Sequence, residues 1–143
     1  MNYPKIIQSQ AIILTLIMVS PLNFANKAKT IIPCPSIAAI QQTSSQLDRV
    51  GDDNPGYMAY TSDFMLNENN HMWGVAARNI IADSIDEALA IGKQNVAQIS
   101  SVKTKNAIEL PGEHIFYCQY EPRNIIAVTD DLNIARSRLH KIQ

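Results

Sequence analysis

The chain has 143 residues, 12 basic and 13 acidic side chains and a net charge of −1, which is room for one domain. It has no basic excess with which to neutralise phosphates, and this argues against a nucleic-acid partner. With two cysteines and no C-x-x-C spacing, a metal-binding cysteine pair has no support.

The chain opens as a secretory signal peptide does. Lys5 supplies a positive start, Ala11 to Val19 an apolar run, Pro21 a break, and Ala25 and Ala28 small residues for cleavage. That run is far shorter than the roughly 20 apolar residues that span a bilayer. Residues 1–28 are therefore expected to be removed, and 29–143 to form a single small α+β domain that is periplasmic or secreted. Removal takes Lys5 and Lys27 and no acidic residue, so the remaining domain is more acidic. In an exported chain Cys34 and Cys118 are expected to bond to each other, with two buried free thiols as the competing reading.

Further along, Pro35 suits the first turn of a short N-terminal helix, with Ile37, Ile40, Ser44 and Leu47 on one face. Gly51-Asp52-Asp53-Asn54-Pro55-Gly56 is a dense turn signal between strand candidates at Leu47–Val50 and Tyr57–Phe64. Asn67 to His71 is a second polar turn, and it predicts a hairpin with a strand from Met72 to Ile81. Ser84-Ile85-Asp86-Glu87 has capping-box spacing. The stripe Ile85, Ala88, Leu89, Gly92, Val96 and Ile99 predicts the main helix, about Ile85 to Ser100, with one buried face.

Strands follow at Ala107–Leu110, His114–Tyr120 and Asn124–Thr129, separated by Pro111-Gly112 and by Glu121-Pro122-Arg123. A last short helix is read from Leu132, Ala135, Leu139 and Ile142 within Asp130–Gln143. These elements imply an antiparallel sheet of four to six strands with the main helix packed on one face and a short N-terminal helix. One parallel crossover, from Trp73–Ala82 through the helix to Ile115–Tyr120, stays open.

Catalytic spacing is missing. No serine sits in a G-x-S-x-G elbow, the histidines His71, His114 and His140 are isolated, and paired carboxylates fall in turns or helix starts. The expectation is a non-enzyme with no resident metal. Haem asks only for one axial ligand and an apolar slot. His71, Met72 and Trp73 in succession, with Tyr120, are the candidate ligand-binding residues, although aromatic side chains at strand positions also simply pack a sheet.

Cys34-Pro35-Ser36 with Ile40-Gln41, Trp73, Asp86-Glu87-Ala88-Leu89, Leu110-Pro111-Gly112 and Cys118-Gln119-Tyr120 together resemble a family of small exported proteins of Legionella-type bacteria. Function in that family is largely unknown, and some members are labelled hemin-binding protein. The resemblance implies an exported binding protein with hemin as a ligand. A secreted protein-interaction or inhibitor module is the alternative, and a small hydrolase ranks behind both.

Overall fold

The computed structural model describes residues 30–130, so the expected signal segment and the expected helix after Asp130 lie outside the described residues. Two helices and eight strands follow in the order α1 (Ile37–Gln42), β1 (Arg49–Asp52), β2 (Tyr57–Tyr60), β3 (Leu66–Glu68), β4 (His71–Ile80), α2 (Ile85–Ala97), β5 (Ser101–Val102), β6 (Ile108–Glu109), β7 (Ile115–Glu121) and β8 (Ile125–Asp130). They build one eight-stranded sheet, ordered β1-β2-β4-β8-β7-β5, with β3 on β4 and β6 on β7. The four to six strands expected from the sequence fall short. β3 and β5 were not anticipated, because runs of three and two residues are too short to display an alternation.

Every pairing is antiparallel. The possible parallel crossover is not formed, because β8 inserts between β4 and β7 and pairs with both. The polar turn before β4 closes a tight hairpin, with Asn69 and Asn70 at φ of 55° and 63°. Two consecutive left-handed residues are what a primed two-residue turn requires, and asparagine tolerates that region. β2 stops at Tyr60 rather than running on to Phe64. The Asp48 carboxylate accepts from both the backbone N–H and the hydroxyl of Ser62, at 2.8 Å each, and draws the chain off the sheet.

At α1 the capping residue is Ser36, whose hydroxyl accepts the Ala39 N–H at 3.3 Å. Pro35 therefore sits just outside the helix, and the second half of the expected helix is a 3-10 turn over Thr43–Gln46. At α2, Ser84 accepts from Glu87 N at 3.2 Å, and the Glu87 carboxylate accepts in return from Asp83 N at 2.8 Å. The capping box thus closes one residue earlier than its usual partner. Of the predicted stripe, Ala88, Gly92, Val96 and Ile99 are buried, whereas Ile85 in the first turn is 61% exposed.

Gly92 marks the closest approach of α2 to the sheet. A Cβ there would stand 2.4 Å from the Ala59 Cβ and 3.3 Å from Ile80 Cδ1. Core side chains come from alternate strand positions: Trp73, Val75 and Ala77 of β4, Phe116, Cys118 and Tyr120 of β7, and Ile125 and Ala127 of β8. Cys34 and Cys118 are joined in a disulfide with Cα atoms 5.8 Å apart and 84 positions between them in sequence. It fastens the segment ahead of α1 to the middle of β7.

Candidate binding site

β4 fixes where the predicted ligand residues go. Strand alternation sends His71 and Trp73 to the core side and Met72 to the opposite face, so the structure separates Met72 from the other three. Trp73 is fully buried, and its indole N–H donates to the Glu68 carbonyl at 3.2 Å. His71 is buried beside it, with ring centroids 6.2 Å apart in an edge-on contact.

Tyr120 arrives from β7. Its hydroxyl donates to the Pro35 carbonyl at 2.7 Å, a buried bond that spans 85 positions in sequence. Burial, and then the nearby Glu68 charge, push the phenol well above its ordinary range, so it stays protonated and keeps donating. Glu68 in turn accepts the Ser36 N–H at 3.1 Å. The cluster thus ties the β3–β4 hairpin, β7 and the start of α1 into one knot. The Trp73 indole, the Tyr120 hydroxyl and Glu68 Oε1 are spent on backbone partners, while the buried Glu68 Oε2 has none.

As placed, these residues do not fit a haem. Trp73 and Tyr120 are each at most 2% exposed, the Tyr120 oxygen is committed to Pro35, and Met72 faces away. A macrocycle would have to displace the core to reach them. None of three cavities on the described surface is lined by His71, Met72 or Trp73.

The opposite face of the sheet offers a different kind of place. Met58 and Tyr60 of β2, Ala76 of β4 and Ile126 and Val128 of β8 point outward beneath Phe64, and together line a shallow groove of about 230 Å³. Phe64 and Met65 remain 38% and 50% exposed. Phe64 lies across Gly74, where a Cβ would make ordinary contact at 3.6 Å from Phe64 Cδ1. Asp63 is the one charged residue of the lining.

Reading the chain for haem ligands missed this surface, although a signal for it was present. An antiparallel strand with one wet face should alternate polar with apolar. Ile125-Ile126-Ala127-Val128 does not alternate, and neither does Tyr57-Met58-Ala59-Tyr60. Both strands carry apolar side chains on the face that α2 leaves open.

Among the described residues no group of three or more His, Cys, Asp or Glu is placed to hold a metal ion, and no helix is long and apolar enough to cross a membrane. No protein-family model, curated protein or solved structure matches this chain.

Proposed function

We propose that the protein is an exported, non-catalytic binding module that recognises a protein partner through the outer face of its sheet. The observation that carries this reading is the groove lined by Met58, Tyr60, Phe64, Ala76, Ile126 and Val128. Aromatic and methionine side chains with little charge are the composition of interface cores. At about 230 Å³ the groove is smaller than the roughly 300–1,000 Å³ that encloses a small-molecule ligand, which favours an apolar protein segment over hemin. Asp63 on its border favours a partner whose apolar segment is flanked by a basic residue.

Export is the second half of the proposal. A disulfide fastening the first described segment to β7 favours an oxidising compartment. The signal-like start and the likeness to the Legionella-type exported proteins agree with it.

The test compares the purified protein with its Val128→Lys and Tyr60→Glu variants as immobilised bait for the exported proteins of its source. The proposal expects a discrete protein retained by the wild type and lost by about tenfold or more with either variant, since a buried unpaired charge opposes the contact. Retention that both folded variants leave intact would overturn it.

A further inference from the structure

A second cavity, unlike the groove, is polar and lies where β7 turns into β8. It has a volume of about 130 Å³ and is lined by Arg78, Lys103, Gln119, Glu121, Arg123 and Asn124, among others. Three cations thus border a space that one carboxylate shares. Asp53 engages Nε and Nη2 of Arg78, at 3.2 and 2.9 Å, and leaves the guanidinium with further N–H donors. Lys103 meets Glu121 at 3.6 Å, and both side chains are about half exposed, 50% and 53%. A pair that long and that wet contributes little, so the ammonium is available to a competing anion.

The amides of Gln119 and Asn124 add neutral donors to the same space. Asn124 is held by a hydrogen bond from its side-chain nitrogen to Asn79 Oδ1 at 3.2 Å, and its carbonyl accepts the Arg78 N–H at 2.9 Å. The cavity floor is therefore built from bonded backbone and side chains rather than from free loops.

We infer that this cavity is a binding site for a small oxyanion, a phosphate or carboxylate group, held between Lys103, Arg123 and the outer donors of Arg78. Its volume is well under the roughly 300 Å³ at which drug-sized ligand sites begin, so the group it takes is small or is the end of a larger molecule. The cavity adjoins the partner surface proposed above at Ile126, which lines both, but none of its charged groups borders that groove, so either proposal can fail without the other.

The experiment is a titration of the ¹⁵N-labelled protein with inorganic phosphate, and separately with acetate, at ionic strength held constant by sodium chloride. A few charge-assisted hydrogen bonds at a wet site correspond to a Kd of about 1 mM, with saturable shifts at Lys103, Gln119, Arg123 and Asn124. The Lys103→Ala/Arg123→Ala double variant should weaken binding by about tenfold or more. Arg49→Ala removes a cation on β1, outside the cavity lining, and should leave it unchanged. Tighter binding of phosphate identifies a phosphorylated ligand, and tighter binding of acetate a carboxylate. Shifts that fail to saturate, or that Arg49→Ala weakens as much as the double variant, would overturn the inference.

Discussion

The Asp53 carboxylate joins the turn after β1 to the far end of β4. It accepts from Arg78 at 2.9 and 3.2 Å, from Asn79 N at 3.0 Å and from Asn54 N at 3.0 Å, with only 10% of its side chain exposed. The Arg78 guanidinium first, and then the Asn79 N–H, lower its pKa from 3.8 to about 2. A carboxylate depressed by folding stabilises the native state fully above its unfolded value, and loses that contribution as the pH falls toward the folded one. Thermal unfolding followed from pH 5 down to about pH 2 should therefore show a loss of stability that Asp53→Asn flattens; an unchanged acid slope in that variant would remove Asp53 from the account. Tyr120 makes a second prediction. Tyr120→Phe leaves the buried Pro35 carbonyl without its donor and should cost about 1–2 kcal/mol by urea unfolding. In the wild type, an ultraviolet titration should find a tyrosine that ionises only above the ordinary phenol range and that Tyr120→Phe removes, since burial holds that phenol up.

Where α2 meets β2, a glycine stands against an alanine, Gly92 over Ala59. Gly92→Ala would put a methyl 2.4 Å from the Ala59 Cβ, where neither backbone can yield cheaply. The expected cost is about 1–3 kcal/mol, despite the better helix propensity of alanine, and urea unfolding measures it. A gain in stability would mean that α2 stands further from the sheet than described. Much of this element was legible beforehand, since Ser84, Glu87 and the spacing of Ala88, Gly92 and Val96 are local signals of a capped, one-sided helix. β4, β7 and β8 were legible for the same reason: each is long enough to show its β-rich run. β3 and β5 were not, because strands of three and two residues exist only through pairing with β4 and β7. The insertion of β8 between β4 and β7 was equally hidden, as strand order is a tertiary choice that periodicity does not encode. For the site, the sequence indicated His71, Met72, Trp73 and Tyr120 as candidate ligand residues; Met72 lies on the opposite face, and the burial of the other three, with the hydrogen bonds of Trp73 and Tyr120, gives them a structural task. Residue type alone does not separate an aromatic that packs from one that binds.

For the molecule as a whole, the fold has two unequal faces: one carries the core beneath α2, and the other is apolar with no helix over it among the described residues. The disulfide holds the first of these shut by joining the chain ahead of α1 to β7. Replacing Cys34 and Cys118 by alanine should cost about 2–5 kcal/mol, given a closed loop of 84 positions. Denaturation of the oxidised and variant proteins side by side reads that difference, and equal midpoints would show that the link constrains little. The outer face is where the functional reading rests. Its most direct measurement is photo-crosslinking, with a benzophenone amino acid placed at Val128 in one protein and at the exposed Gln94 of α2 in another, each mixed with the exported proteins of its source. A discrete adduct from position 128 and none from position 94 is the predicted result. No adduct from position 128, or the same adduct from both, would contradict recognition through the outer face of the sheet.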